Sequence, residues 1–396
     1  MDKGFLIDDQ DLKGLAKAFS DATKLIHTAI NERRPVWIRH HGDCDGYAAG
    51  VALQSAIIPL MVQETGDRSA GYKRCRRAPS RTPWYDIEDA TKDIMYHLED
   101  RERFGNPPPL LIVMDNGSTE EDVPALEKVK VLGFQVLVVD HHDPGENKAD
   151  KFIDVHINPH QVNPSSEITA GMLGVELARW VKEDFIVPHM AAVAGIADRS
   201  RGKAYEQYLR LAEEEGFDGP YLEKLSLAID HEAYLVRYSE GRQYFNLLFG
   251  ARDDRQERLV MLIAKAAQEK KEQLFQDAKA HVKIEDREGF ILAKIPLQGM
   301  TNRGTYPTIG KIAGMVRDWL ETERKKTVIA LSIDAGRVSF RMSHDAAFDV
   351  NKIKTVLQEK LPHANVTGGG HAHAGTIRFH AMAQDEILKN IDEQLT

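Results

Sequence analysis

The chain has 396 residues, 42% of them hydrophobic and 29% charged, enough to bury the cores of two domains. Sixty-one acidic against 52 basic residues give a net charge of −9, which excludes a coat of basic surface but leaves room for one local basic groove. With only Cys44 and Cys75, no disulfide framework or cysteine-based zinc site is available. No apolar run reads as a membrane span and the acidic start has no signal-peptide character, so a cytoplasmic location is expected.

Taken in order, Leu12, Leu15, Phe19, Ala22 and Ile26 fall at helical spacing and predict a helix over 11–31, stopped by Arg34-Pro35. Val36–Arg39 reads as a short strand. It delivers His40-His41-Gly42-Asp43-Cys44-Asp45-Gly46, after which small residues start a helix: a βα unit with a polar tip. Asp43 and Asp45 flank a turn and are placed to face two different cations. The bland alternative is an Asp-Gly turn with a helix cap.

Between 65 and 85 the composition changes. Arg68, Lys73, Arg74, Arg76, Arg77 and Arg81 cluster there, with Tyr72, Trp84 and Tyr85 interleaved. Cations with aromatic faces suit a single-stranded nucleic acid, by phosphate neutralisation and base stacking; the alternative is a solvated basic loop. A helical stretch through Ile94 and His97 and a turn at Asn106–Pro109 follow.

Leu110–Met114 is a second apolar strand, ending on Asp115, and a helix from Val123 to Lys130 leads to a third. That one, Val136–Val139, ends on Asp140-His141-His142-Asp143. Phe152–Ile157 is a fourth strand, closed by Asn158-Pro159. Such runs, rich in β-branched residues and too short for helices, read as strands buried on both faces of a parallel sheet. Open α/β sheets place their ligands at the C-terminal ends of such strands. Ser165-Ser166-Glu167 precedes a helix from 169 to 181 whose start suits an anion. Ala191–Ala197, small and apolar, reads as one more segment of this kind and closes on Asp198.

Residues 259–281 predict one long helix, a connector. Beyond it come strands near 289–295, 327–333 and 337–343, a helix near 311–320, a glycine-rich loop at 367–375 and a last strand at 376–379. The expected architecture is α/β. A parallel-sheet domain with helices on both faces takes 1–250, a connecting helix 251–282, and a smaller C-terminal α/β domain 283–396.

The polar ends collect His41, Asp43, Asp45, Asp115, Asp140, His141, His142 and Asp198. So much negative charge in one place needs cations to be tolerated. Carboxylates with imidazoles suit Mn²⁺, or Mg²⁺ with less histidine participation. Two ions bridged by a carboxylate suit an in-line phosphoryl displacement.

This ordered set resembles the DHH phosphoesterase superfamily. Gly368-Gly369-Gly370-His371, with Arg341 in Ser339–Ser343, resembles its C-terminal DHH-associated domain, and the whole is most similar to archaeal RecJ-like single-strand exonucleases. The resemblance implies that His41, Asp43 and Asp115 hold one ion, and that Asp45, Asp115, His141 and Asp198 hold the other, with Asp115 as the bridge. Some relatives carry the first histidine where this chain has Arg39, which leaves the choice between His40 and His41 open. By the same resemblance His142 meets the scissile phosphate, with Asp140 orienting an imidazole from behind. Arg341, His371 and the glycines Gly368, Gly369 and Gly370 grip the substrate. Arg74, Arg76 and Arg77 are the candidate polymer-binding cations. His97, His156, His160, His344 and His363 read as surface or satisfied histidines.

The leading expectation is a two-metal exonuclease acting on single-stranded DNA or RNA. A nanoRNase or cyclic-dinucleotide phosphodiesterase acting on short oligonucleotides shares the chemistry, as does a family II pyrophosphatase, which the glycine-rich ending and long connector disfavour. An inactive replisome scaffold is the reading from another class, and the intact acids weigh against it. Expected partners are single-stranded nucleic acid and a replication or repair protein, with no membrane.

Overall fold

Each apolar run of the first half alternates its side chains between two cores. Val36, Ile38, Leu110, Ile112, Met114, Leu137 and Val139 enter one, while Trp37, Leu111, Val113, Val136 and Val138 enter the other. Every such side chain contributes about 1.5–3 kcal/mol when fully buried, so the sheet needs helices on both sides. In the computed structural model, which describes residues 4–237, 239, 242–301 and 304–395, that is the arrangement of the first of two units, 1–264 and 265–396.

The first unit holds β1 (Val36–His40), β2 (Cys75–Pro79), β3 (Leu110–Met114), β4 (Gln135–Val139) and β5 (Val155–Ile157). They form one sheet in the order β2-β1-β3-β4-β5, every pair parallel. All five C-terminal ends therefore lie along one edge. The initial helix is interrupted at Leu15 into Gln10–Gly14 and Ala16–Asn31.

Four features differ from expectation. The basic stretch, for which a solvated loop was the alternative reading, forms the short helix Ala70–Arg74 and the edge strand β2. The segment before Asp198 is the helix Pro188–Ala197, started by a proline at its first turn, and Asp198 caps its C-terminus. Thr367–His371 is a strand rather than a loop. Finally, the helix Cys44–Thr65 is long and apolar enough by composition to cross a membrane, but 72% of its most apolar window is buried. It is a core helix of this unit.

Helix Asp254–His281 runs across the division into the second unit. There β6 (Lys283–Arg287), β7 (Phe290–Pro296), β8 (Thr327–Asp334), β9 (Arg337–Met342), β10 (Thr367–His371) and β11 (Ala374–Arg378) form a sheet ordered β10-β11-β9-β8-β7-β6. Only β7 and β8 run parallel among these described pairs. Phe290, Leu292, Leu331 and Phe340 pack toward helices Val350–Lys360 and Gln384–Gln394, while Ile291, Ala293, Ile295 and Val328 pack toward helix Ile309–Arg324.

Candidate metal centre

The parallel ladder continues one residue beyond the strands. His41 N donates to Met114 O at 3.1 Å, Asp115 N to Val139 O at 2.9 Å and Asp140 N to Ile157 O at 3.0 Å. His41, Asp115, Asp140 and Asn158 thus stand in one row across the sheet edge. At Asp115 the chain turns sharply, with φ at 58° in the left-handed region, which aspartate tolerates better than most residues.

Asp115 is 2% exposed and is common to three groups of closely spaced donor atoms: His41 with Asp43, Asp45 with His141, and Asp140 with His142. His41 Nδ1 lies 2.9 Å from Asp43 Oδ2 and 3.4 Å from Asp115 Oδ2. On the other side His141 Nε2 lies 3.2 Å from Asp115 Oδ1, 3.4 Å from Asp198 Oδ2 and 3.7 Å from Asp45 Oδ2. The buried Oδ2 of Asp115 has no hydrogen-bond partner among the described residues. An acceptor in that position, ringed by carboxylates and imidazoles, suits a divalent cation, so the donor set fits a two-cation centre.

Asp43 caps a helix and also faces His41. Its Oδ1 accepts from Gly46 N at 3.1 Å as the helix N-cap, while Oδ2 faces His41. Asp45, in the first turn of that helix, is fully buried. Its Oδ2 accepts from Ala170 N at 3.0 Å and its Oδ1 from Gly171 N at 2.8 Å. The anion at the start of helix Ala170–Val181 is therefore a side chain of the site itself, favoured there by the helix dipole. Gly171 is required for this approach, because a Cβ there would lie 2.8 Å from Asp45 Oδ1 and 2.4 Å from Ala194 Cβ. Asp198 sits at a helix C-terminus, where the dipole disfavours an acid and a cation would offset the cost.

His142 is oriented from behind. Its Nδ1 lies 2.8 Å from Asp140 Oδ1, which also accepts from the backbone N–H groups of His141 and His142. Burial works against an ionised Asp140, but the charge of His142 and its hydrogen bond outweigh that and hold the carboxyl well below the usual range. Burial likewise opposes a charged His142, and Asp140 reverses this and raises its pKa. Desolvation also opposes charge on His41 and His141, yet the acids around them raise both well above the ordinary imidazole value. Asp45 moves upward through burial and the like charges of Asp115 and Asp198.

His40 and His41 face different ways. Fully buried, His40 points Nδ1 at the carbonyl of His41, 2.7 Å away, and Nε2 toward Arg77 Nη1 at 3.4 Å. Burial and Arg77 push its pKa well down. His41 is the one among the carboxylates. Arg39 is buried on the opposite side, with Nε 2.9 Å from Asp93 Oδ2.

The basic stretch divides. Arg77 is 3% exposed and donates through Nε to Gln54 Oε1 at 3.0 Å, so it braces the fold and does not reach a polymer. Arg76 is half-buried, 3.9 Å from the ring centre of Tyr96, and Arg74 is half-buried at the end of its helix. Lys73 pairs with Asp67, Arg81 with Glu88, and Tyr85 is fully buried.

In the second unit Arg341 stands on β9 with Nη1 donating to Phe340 O at 2.8 Å, and His371 is exposed at the end of β10. Gly368, Gly369 and Gly370 have φ of 103°, 145° and 143°. A Cβ on Gly368 would lie 2.2 Å from Thr376 O, so the pairing of β10 with β11 already demands glycine there.

Ser118 and Asn158 escaped the sequence reading, and His156, read there as a satisfied histidine, joins them behind His142. Asn158 follows β5 just as the acids follow β3 and β4, so the strand-end rule, extended to amides, would have found it.

The DHH family, N-terminal domain, matches residues 35–195. An uncharacterized protein of Methanocaldococcus jannaschii is 33% identical over 97% of this chain, which spans about half, 54%, of that relative's length. The solved DHH domain of a member of a family of ribosomal proteins is 36% identical, with a TM-score of 0.94 covering 100% of this chain and 94% of that one. RecJ from Thermus thermophilus, solved in complex with Mn²⁺, is 16% identical with a TM-score of 0.66, covering 96% of this chain and 54% of that one. With a relative this similar along its whole length, the chain belongs to the DHH family, and its fold is RecJ-like.

Proposed function

We propose that the protein is a two-metal phosphodiesterase that removes nucleotides from an end of single-stranded DNA or RNA, working in the cytoplasm with Mn²⁺. The observation that carries this reading is Asp115, whose two oxygens face two separate sets of carboxylate and imidazole donors. Bound there, the two cations would lower the pKa of a water and stabilise the attacking and leaving oxygens of an in-line displacement. His41, Asp43 and Asp115 would hold one; Asp45, Asp115, His141 and Asp198 would hold the other.

The remaining residues position and neutralise. With Nδ1 of His142 committed to Asp140, Nε2 is the nitrogen that meets a phosphate oxygen. Arg341, His371 and the backbone of Gly368–Gly370 bind the phosphate backbone, and Arg74 and Arg76 carry the strand further. The test is an assay with end-labelled single-stranded DNA, the same RNA and a dinucleotide run side by side. Hydrolysis should vanish in excess chelator and return with Mn²⁺ better than with Ca²⁺, which favours many oxygen ligands. Full turnover in chelator would overturn the reading. Dinucleotide cleavage alone would replace the exonuclease by an oligonucleotide phosphodiesterase, and no hydrolysis of any of them would favour a scaffold.

A further inference from the structure

Behind His142 runs a hydrogen-bonded chain that includes none of the proposed metal ligands. Asp150 Oδ1 lies 2.7 Å from His156 Nδ1, and His156 Nε2 lies 2.9 Å from Ser118 Oγ. Asn158 Nδ2 donates to Ser118 Oγ at 3.1 Å and to the carbonyl of His142 at 2.9 Å. Its Oδ1 accepts from His160 N at 2.9 Å, which fixes which end of the amide points at His142. Ser118 also donates its backbone N–H to Asp140 Oδ2 at 3.3 Å. The chain therefore touches His142 twice, through its main chain and through the carboxylate that orients its ring.

We infer that Asn158, held by Ser118 and His156, is a positioning residue for His142. The direction of each bond follows from the ends. With Asp150 ionised, His156 carries its proton on Nδ1 and accepts at Nε2, so the Ser118 hydroxyl donates outward to His156. Its lone pairs then face Asn158, and the second N–H of that amide is left for the His142 carbonyl. Ser118 and Asn158 are fully buried, 1% and 0% exposed, where a misdirected donor would find no water to replace its partner. Asp150, by contrast, is at the surface, while the His156 side chain is 7% exposed. Asp150, the outer end of the chain, can thus be altered without opening the core.

The inference rests on the proposed role of His142, so its test has a readout independent of hydrolysis. Asn158→Asp keeps the acceptor for His160 N and removes both donors. His156→Ala cuts the chain further out, and His156→Gln restores an acceptor near the position of Nε2. With Mn²⁺ and a labelled single-stranded oligonucleotide, kcat should fall about 10–100-fold in Asn158→Asp. It should fall less in His156→Ala and recover in His156→Gln, with Mn²⁺ affinity by calorimetry unchanged throughout. Hydrogen exchange of residues 141–145 should quicken in Asn158→Asp and His156→Ala while the rest of the first unit is unaltered. If the wild type hydrolyses nothing, the proposed function fails, and the exchange measurement still decides the positioning role. Wild-type exchange at 141–145 in both variants would overturn the inference, as would wild-type kcat in both. Should Asn158→Asp fail to fold, His156→Ala and its Gln rescue decide the question by the same two measurements.

Discussion

Gly171 donates its backbone N–H to Oδ1 of Asp45 at 2.8 Å, so the start of one buried helix grips an acid on the first turn of another. Gly171→Ala would press a methyl against Asp45 and Ala194 and should cost about 1–3 kcal/mol of stability. Because the displaced group is a proposed ligand, Mn²⁺ affinity should fall as well. Denaturant melts and calorimetry measure the two separately; lowered stability with unchanged affinity would put Asp45 outside the metal shell.

Asp115→Asn keeps the shape of the bridging side chain and removes its charge. Hydrolysis should drop by at least about 100-fold, more than loss of an outer partner costs, and fewer Mn²⁺ ions should bind. Near wild-type turnover would show that the centre lies elsewhere.

The arginines separate by burial. Arg77→Met should leave Gln54 Oε1 without its donor and cost about 1–3 kcal/mol, with no change in the salt dependence of strand binding. Arg74→Glu should be nearly neutral for stability and reduce the salt slope by about 0.7 for each phosphate it no longer neutralises. An altered slope in Arg77→Met, at unchanged stability, would return that residue to the binding surface.

Glu176 is fully buried, accepting from Leu6 N at 2.9 Å and from the Tyr208 hydroxyl at 2.7 Å. Burial pushes its carboxyl up to about 7, from 4.5 when exposed. Between those values the folded chain binds the extra proton, so this contribution is intact below about 4.5 and is lost as pH rises through 7. The loss amounts to roughly 3 kcal/mol once the group is fully ionised. Glu176→Gln should flatten stability across that window, read from denaturant midpoints between about pH 5 and 8. A wild-type profile in the variant would remove Glu176 as the cause.

Much of the candidate site was legible because β3 and β4 are apolar runs buried on both faces and β1 begins as one, each followed by its acid or histidine. The strand β2 was not, because Arg76, Arg77 and Pro79 read as loop chemistry. Arg77 is admitted to the sheet by Gln54, 23 residues away, together with His40, the Tyr47 ring and the carbonyl of Arg242. Helix Pro188–Ala197 is apolar and small all round, so it carries no amphipathic period and passes for a strand. The glycines of β10 read as loop chemistry in the sequence. Their positive φ angles instead belong to a strand closed tightly against its neighbour.

The left-handed backbone at Asp115 has a consequence for descent as well as for chemistry. Asparagine tolerates that conformation at least as well as aspartate, so the turn places no barrier before the one-step change between them. Folding and the proposed catalysis are then under separate selection at this position. A lineage that stopped needing hydrolysis could lose it here in a single substitution and keep a stable body for other partners to use.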